Sequence, residues 1–197
     1  MNPSHLTVEE LRGALRRREP KRLEIPGFRQ AAVLVPILQG PEGLELLFTV
    51  RGEMLTHHAG QIAFPGGGLE ADETPEEGAV RETREEIGLE VPVRSIIGRL
   101  SDHPSPARFI ATPVVAVLLW PQPLEPNPSE VAEVFSVPLS ELGGIVPRWE
   151  ERVLEGMRRR IHYYVWGERL IWGFTGNVVK ELLDLLPGGG ARFVSSS

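Results

Sequence analysis

The chain has 197 residues, of which 41% are hydrophobic and 24% charged, and these proportions are typical of one globular domain rather than of a disordered chain. It has no cysteine, which excludes disulfides, thiolate nucleophiles and cysteine-based zinc sites and favours a cytoplasmic location. A formal net charge of −6 argues against nucleic-acid binding, and no apolar run reaches the roughly 18 residues of a membrane-spanning helix. We therefore expect neither a nucleic-acid partner nor a membrane partner. An anionic substrate would need local positive charge, such as a bound cation.

The first predicted elements are a helix and a β-hairpin. Thr7 and Glu10 match a capping box ahead of apolar residues at helical spacing, which predicts a helix over about Val8–Arg18. Two apolar runs follow, Ala31–Leu38 and Leu44–Val50, separated by five residues that include two glycines and a proline. This pattern predicts two strands joined by a turn.

The clearest local signals lie in the next segment. Phe64–Gly68 contains a proline and three glycines, and we interpret it as a rigid and then flexible loop. Thr74–Glu77 combines a capping box with proline at the first helical position, and Gly88 supplies a C-terminal stop. A helix is therefore predicted over Pro75–Ile87.

The remainder of the chain is predicted to be mainly strands. These strands are expected at Val91–Gly98, Ile110–Leu119, Val131–Val137, Ile161–Trp166 and Arg169–Trp172. A last helix should begin after Thr175, bury its leucines and valines, and end at Pro187. We expect a single α+β domain over residues 1–187 and a flexible glycine- and serine-rich tail over residues 188–197.

Three glutamates on the predicted helix point to a metal site. Glu82, Glu85 and Glu86 are spaced three and four residues apart, so they project from one face, near Arg81. Glutamate-rich helix faces are more often simply solvated. Here, however, Glu82 and Glu86 repel each other at a cost of about 0.2–0.5 kcal/mol, and charges near the helix C-terminus oppose its dipole. A divalent cation such as Mg²⁺, Mn²⁺ or Ca²⁺ would remove these penalties.

The same segment resembles the Nudix box. The residues that carry the resemblance are Gly67-x5-Glu73-x7-Arg81-Glu82-Thr83-Arg84-Glu85-Glu86-Ile87-Gly88-Leu89, with Thr83 at a position that is usually aliphatic. The resemblance implies the Nudix fold, a mixed β-sheet sandwiched between α-helices. It also implies an enzyme that hydrolyses a nucleoside diphosphate linked to another group.

The resemblance further assigns roles to the box residues. It implies that Glu82, Glu85 and Glu86 hold Mg²⁺ or Mn²⁺, with the Gly67 backbone close to the metal. Arg81 and Glu73 would orient these ligands. The bound metal would neutralise diphosphate charge and activate a water molecule.

A second motif resembles the coenzyme A diphosphatase branch of the family. It consists of Leu46–Arg51 and His57–Gly67, with a further echo at Ile171–Thr175. These enzymes release 3′-phosphoadenosine 5′-phosphate and 4′-phosphopantetheine. The sequence departs from the branch at Gly52, where Ser or Ala is usual, and at Thr56, where Arg is usual, which bears on how the substrate phosphates are held.

Several residues beyond the box are candidates for binding a small-molecule substrate. Arg51 could hold a phosphate through its two-pronged guanidinium, although an ordinary ion pair is the alternative. His57 and His58 could contact phosphate or transfer protons, although a histidine pair is more often structural. Gly66 and Gly67 would let the backbone approach the substrate.

The general base stays open between a box glutamate and a later carboxylate. Glu130 and Glu133 are the later candidates, and a spacing of three should place them on opposite faces of a strand. Exposed charge at a strand edge is the alternative. Arg158–Arg160 could bind a nucleotide phosphate, but a solvated loop is favoured.

Three other functions compete with cleavage of coenzyme A. One is a Nudix hydrolase for ADP-ribose, dinucleotide polyphosphates or oxidised nucleotides. Another is a binding module that has lost turnover, and the last is a charged helix without a site. The sequence leaves the oligomeric state open between monomer and homodimer.

Overall fold

The computed structural model describes residues 7–52, 60–154 and 156–186, and only the backbone of Leu154 and Met157. The described chain contains four α-helices and one short 3-10 helix at Val93–Ser95. The α-helices are α1 Val8–Arg16, α2 Pro75–Ile87, α3 Leu139–Gly144 and α4 Gly173–Asp184. The strands are β1 Arg29–Gly40, β2 Gly43–Arg51, β3 Ile62–Ala63, β4 Gly66–Gly68, β5 Ile96–Arg99, β6 His103–Pro104, β7 Phe109–Leu119, β8 Val131–Pro138, β9 Arg148–Leu154, β10 Met157–Trp166 and β11 Arg169–Trp172.

The larger sheet has eight strands and mixed direction. Its central path runs β3-β2-β1-β7-β5, while β4, β6 and β8 pair with β1, β7 and β2 respectively. Among the described strands, β1 and β7 form the one parallel pair, in register from Arg29 opposite Phe109 to Gln39 opposite Leu119. The second sheet is an antiparallel array, β11-β10-β9.

The split between β1 and β2 shapes the site region. The two strands pair only near their hairpin, from Gly40 opposite Gly43 to Ile37 opposite Leu46. Beyond that point β3 pairs with β2 and β4 pairs with β1, so the two short strands occupy the gap. This arrangement places the glycine-rich β4 at an interruption of the sheet, beside α2.

The two faces of the sheet bury separate apolar clusters. Alternate residues of β1 point to opposite faces, so Val33, Val35 and Ile37 pack with α1, α3 and α4. Ala32 and Leu34 pack with α2 on the other face. Helices thus cover both faces, which confirms the predicted α+β architecture. No helix in the described ranges is long and apolar enough to span a bilayer.

The capping boxes correctly predicted the residues at which α1 and α2 begin. The capping boxes of Thr7 with Glu10 and of Thr74 with Glu77 are both formed. Helix α2 has the predicted bounds, with Gly88 as its left-handed C-cap. Helix α1 ends at Arg16, two residues before the predicted end.

Other elements differ from the sequence-based expectation. The predicted loop Phe64–Gly68 contains strand β4, which is paired with β1. The predicted strand Val91–Gly98 begins as a 3-10 helix and becomes β5 only at Ile96. The arginines Arg158–Arg160 lie inside β10 rather than in a loop, because β10 extends to Met157 to pair with the unpredicted β9. The tail over residues 188–197 lies outside the described residues.

Candidate functional site

Helix α2 presents one buried stripe and one half-exposed edge. The buried stripe consists of Gly78, Ala79, Thr83, Glu86 and Ile87. The hydroxyl of Thr83 is fully buried and donates to the Ala79 carbonyl oxygen at 2.7 Å, so a polar residue fits the aliphatic position of the box. The three glutamates of the predicted face therefore differ in exposure, because Glu86 lies within the buried stripe.

Strand β4 lies against the carboxylates of α2 without side chains of its own. A Cβ atom on Gly67 would lie 2.5 Å from the carboxyl carbon of Glu82, so only glycine leaves room for that carboxylate. A Cβ atom on Gly66 would lie 2.3 Å from the Ala32 carbonyl oxygen, and Gly66 has a φ of 154°. Close approach to both β1 and α2 therefore requires these two glycines.

Two hydrogen bonds join the outer edge of β4 to α2. The N–H of Gly66 donates to Oε2 of Glu86 at 3.2 Å, and Nη2 of Arg81 donates to the Gly68 carbonyl oxygen at 3.0 Å. The short strand thus holds one carboxylate and one guanidinium of the helix at fixed positions.

The Glu86 carboxylate is buried with incomplete electrostatic compensation. Its residue is only 6% exposed, and burial raises the pKa of Glu86 to about 7. The negative charges of Glu82 and Glu130 contribute to this rise. The N–H of Gly66 and the positive charge of Arg51 lower it but do not restore the ordinary value. The ionised form of Glu86 therefore needs further positive charge nearby.

Arg81 organises the other carboxylates of the helix. Its Nε and Nη2 donate to the two carboxylate oxygens of Glu73, at 2.9 and 3.0 Å. Its Nη1 donates to Glu82 at 2.8 Å and to Glu85 at 3.3 Å. The bond from Arg81 is the main cause that lowers the pKa of Glu73. Glu77 instead completes the helix cap, so it does not pair with Arg81.

Of the two later carboxylates, Glu130 lies on the side of the buried glutamate. Glu130 is in the turn just before β8, close enough for its charge to raise the pKa of Glu86. Glu133 is in β8 and forms a two-pronged ion pair with Arg169, at 2.6 and 3.0 Å. The structure therefore brings Glu130, but not Glu133, towards Glu86.

The turn that carries Glu130 depends on a residue that sequence reasoning missed. The Asn127 N–H donates to the Glu86 carbonyl oxygen at 2.8 Å, and its side-chain amide donates to Glu130 at 3.3 Å. Its Oδ1 accepts from the Ser129 N–H at 3.1 Å. The Asn-Pro-Ser sequence is a turn signal, so this position could have been recognised.

Arg51 lies at the end of β2, on the site side of the sheet interruption. Its Nε is buried and has no hydrogen-bond partner among the described residues, although its charge lowers the pKa of Glu86. The adjacent Gly52 N–H donates to the Glu130 carbonyl oxygen at 2.8 Å. The predicted substrate residues His57 and His58, and the unusual Thr56, lie outside the described residues.

The two segments that resemble the coenzyme A branch meet in the fold. The Thr175 hydroxyl, in the first turn of α4, donates to the Ile62 carbonyl oxygen at 3.0 Å. Ile62 pairs with Val50 at the end of β2, next to Arg51. Segments more than 100 residues apart in sequence thus contact each other beside the site.

The donor chemistry of this region fits a divalent cation. Glu82, Glu85, Glu86 and Glu130 offer hard oxygen ligands, and Glu86 is an incompletely compensated buried carboxylate. Within the described part of the chain, no three His, Asp or Glu side chains converge as a ready metal cluster. Arg81 holds Glu82 and Glu85, and the Glu85 side chain is 59% exposed. Glu86 instead accepts a hydrogen bond from the Gly66 N–H, so the three carboxylates point in different directions.

Comparison with known proteins gives consistent matches. A family model described as NUDIX domain matches residues 28–161. The chain is 36% identical over 165 residues to Nudix hydrolase NudL of Photorhabdus laumondii, covering 83% of this chain and 87% of that protein. It is 38% identical over 162 residues to NudL of Cronobacter sakazakii, covering 78% and 81%. Among solved structures, a MutT protein from Methanosarcina mazei Go1 is 22% identical with a TM-score of 0.49, covering 61% and 86%.

Proposed function

The chain belongs to the Nudix hydrolase family, and we propose that its substrate is coenzyme A or an acylated or oxidised derivative of it. As a member of this family it is an enzyme that hydrolyses a phosphoanhydride bond of a nucleoside diphosphate derivative. The proposed products are 3′-phosphoadenosine 5′-phosphate and 4′-phosphopantetheine. Water adds across the P–O–P linkage, so that each product keeps one phosphate at the cleaved position.

One observation carries the choice of substrate. The Leu46–Gly67 and Ile171–Thr175 segments, which resemble the coenzyme A diphosphatase branch, contact each other through Thr175 and Ile62. This contact lies next to Arg51 and the split between β1 and β2. A shared position beside the carboxylates supports the proposal that both segments serve one substrate.

We assign the metal to the carboxylates of α2. Glu82, Glu85 and Glu86 are the proposed ligands of Mg²⁺ or Mn²⁺, with the Gly67 backbone next to the metal, and family members generally use divalent metal ions. The bound ion would supply positive charge for the diphosphate and a water of lowered pKa. Arg81 would release Glu82 and Glu85 in part and keep them oriented through its firm pair with Glu73.

Glu130 is the proposed general base. It lies near Glu86 on a turn that Asn127 fixes, and a carboxylate there could accept a proton from the attacking water. The alternative base is one of the box glutamates. If Glu130→Gln loses turnover but keeps the metal affinity of the wild type, the result supports Glu130 as the base. Unchanged turnover in Glu130→Gln would contradict that role.

The proposed substrate contacts surround this centre. Arg51 would hold a diphosphate oxygen, because the residue is half-buried and its Nε has no hydrogen-bond partner among the described residues. The backbone of Gly66 and Gly67 would approach the diphosphate, and His57 and His58 remain proposed contacts from the sequence alone.

Other features of the enzyme follow from the same proposal. We expect a small-molecule substrate, a single domain over residues 1–187, a cytoplasmic location, and a monomer or homodimer without nucleic-acid or membrane partners. The second candidate function is hydrolysis of ADP-ribose, dinucleotide polyphosphates or other nucleoside diphosphate derivatives, which the same carboxylates would serve.

The test is product analysis by chromatography. Purified protein is incubated with coenzyme A, ADP-ribose or a dinucleotide polyphosphate in the presence of Mg²⁺ or Mn²⁺. The proposal predicts 3′-phosphoadenosine 5′-phosphate and 4′-phosphopantetheine from coenzyme A, only with metal and only with intact Glu86. Glu90→Gln is the matched control, because Glu90 is an exposed glutamate just beyond the helix, paired with Arg84. Cleavage of another substrate in place of coenzyme A would support the second candidate.

A further inference from the structure

Strand β9 is an open edge of the second sheet. Among the described strands it pairs only with β10, along Met157–Tyr163. Strand β11 pairs with β10 along Tyr163–Trp166, so β9 and the first part of β10 extend beyond β11 as a two-stranded ribbon. Such a ribbon is only marginally stable in water without further contacts. A third strand along β9 would therefore stabilise this part of the fold.

One face of β9 carries a glutamate and an arginine. Glu150 and Arg152 lie on the same side as Tyr163 of β10, because residues two apart in a strand share a face. The Tyr163 hydroxyl donates to Glu150 at 2.5 Å and accepts from Arg152 at 3.2 Å. Both charged residues are exposed and form an ion pair with each other. This face of the edge therefore presents one negative and one positive group.

The other face of β9 carries Trp149, Glu151 and Val153. The guanidinium carbon of Arg160, on β10, lies 4.6 Å from the centroid of the Trp149 ring, and its Nε lies 3.9 Å from the Glu151 carboxylate. Val153 has much less cover, since it is 71% exposed. This face therefore offers an aromatic ring and an exposed apolar side chain on either side of one glutamate.

The order of these residues is self-complementary when two copies of β9 pair antiparallel. In such a pair the twofold axis is perpendicular to the sheet, so the same faces of both copies lie on the same side. With the axis at Glu151, the middle residue of β9, the whole strand pairs with its copy. Glu150 then lies opposite Arg152 of the second copy, and Trp149 lies opposite Val153.

The two neighbouring registers lack this match. An axis at Glu150 places Arg148 opposite Arg152, and an axis at Arg152 places two arginines opposite each other. Opposite charges and aromatic–β-branched pairs are favourable cross-strand partners, whereas like charges destabilise a pair. Charged residues often protect an edge strand from pairing, but in β9 their order favours one register. The two Glu151 carboxylates at the axis each lie near Arg160 of their own chain, which offsets their repulsion.

We propose that β9 is the interface of a homodimer, in which two copies of the strand pair antiparallel about Glu151. The pairing joins the second sheets of two chains into one continuous sheet, β11-β10-β9 followed by its twofold copy. It gives hydrogen-bond partners to the outward N–H and C=O groups of the edge and covers Val153 with a tryptophan. The proposal does not depend on which substrate the enzyme cleaves.

The first test uses the lack of native cysteine in the chain. Glu151→Cys places one thiol at the axis, where the Cα atoms of the two copies would be about 4.5–5.5 Å apart, a distance that a disulfide spans. Oxidation of the purified variant should give a covalent dimer on a non-reducing gel. Arg148→Cys is the matched control, because its two copies would lie roughly 20 Å apart at 3.3 Å per residue and should not crosslink.

The second test reverses charges and measures association by sedimentation equilibrium. The wild type should have twice the 21.8 kDa mass of the chain. Arg152→Glu places like charges opposite each other at two positions of the dimer, so its dissociation constant should rise about tenfold or more. Adding Glu150→Arg to that variant restores opposite charges in the same register and should restore the dimer. Arg94→Glu, the same change at an exposed arginine of the 3-10 helix, should leave the dissociation constant unchanged.

Several results would overturn the proposal. A wild type that stays monomeric at high micromolar concentration would exclude the dimer. A dimer that Arg152→Glu does not weaken, or that forms no crosslink in Glu151→Cys, would place the interface elsewhere. Residues 188–197 are another segment that could associate with the edge, so the same measurements are repeated on a chain without them. Loss of the dimer in that chain would assign the association to the tail instead of to β9.

Discussion

Replacement of Glu86 by glutamine should stabilise the metal-free protein at pH 8. The pKa of Glu86 is about 7 in the folded state and 4.5 as a free reference group. A carboxyl group whose pKa is raised by folding costs nothing below about pH 4.5, where it is protonated in both states. The cost grows between about pH 4.5 and pH 7, where the unfolded state is ionised and the folded state is still protonated, and it is complete above pH 7.

The size of the effect follows from that difference. Each pKa unit corresponds to about 1.4 kcal/mol, so the ionised Glu86 destabilises the folded state by about 3 kcal/mol at pH 8. Glutamine keeps an oxygen acceptor for the Gly66 N–H but adds an amide N–H group that needs a partner. We therefore expect Glu86→Gln to raise the free energy of unfolding by about 1–2 kcal/mol, which raises Tm by about 3–6 °C.

The assay is urea denaturation with a chelator at pH 8 and at pH 5. The advantage of Glu86→Gln over the wild type should be present at pH 8 and lost or reversed at pH 5, because most of the cost of the ionised carboxylate is gone there whereas the cost of the extra amide N–H remains. Added Mg²⁺ or Mn²⁺ should reverse the order at pH 8, because ligands that bind only the folded state stabilise it. Glu85→Gln is the control, since that side chain is 59% exposed and should give little change. An equal or lower stability of Glu86→Gln at pH 8 would refute the argument.

Four further substitutions test single contacts. Gly67→Ala should lower kcat/KM by about tenfold or more with little change in Tm, because the atoms nearest to its Cβ all belong to the end of the Glu82 side chain rather than to backbone. Gly66→Ala should instead lower the free energy of unfolding by about 2–4 kcal/mol in urea denaturation, because its Cβ meets the β1 backbone. Arg81→Lys should lower kcat by about 10–100-fold without loss of circular-dichroism signal, since lysine cannot replace the two-pronged bond. Burial raises the pKa of Glu181, but hydrogen bonds from neighbouring groups, His103 first, lower it to about 2. The wild type should therefore lose about 2 kcal/mol of unfolding free energy between pH 6 and pH 3, measured by urea denaturation. Glu181→Gln should lose less over the same range.

Local signals predicted the helix that carries the candidate carboxylates and two of the long strands. Helix α2 was correct at both ends, because a capping box, a proline and a terminal glycine act within a few residues. Strands β7 and β8 were predicted to within one residue at each end. By contrast, β9 went unpredicted because its alternation mixes charged and apolar residues, and it becomes a strand by pairing with β10.

The candidate site could be predicted in its residue types but not in its environment. The spacing of the glutamates placed them on one side of α2, and the resemblance named their roles. It could not show that Glu86 is buried, because that burial comes from β4 and from the turn at Asn127, which are brought there by tertiary contacts. The orientation of Arg81 likewise depends on Glu73, which precedes the helix and accepts a hydrogen bond from Arg81 Nε.

The glycine run was predicted correctly in its close backbone approach but not in its secondary structure. The sequence predicted a rigid and then flexible loop over Phe64–Gly68, whose glycines let the backbone approach a neighbouring group. In the fold, Gly66 and Gly67 are in a paired strand, and what glycine provides there is room for the β1 backbone on one side and for the Glu82 carboxylate on the other. A strand without side chains lets carboxylates of a helix lie directly on backbone groups. The run therefore serves precise placement of charge, and any residue larger than glycine at Gly67 would move Glu82.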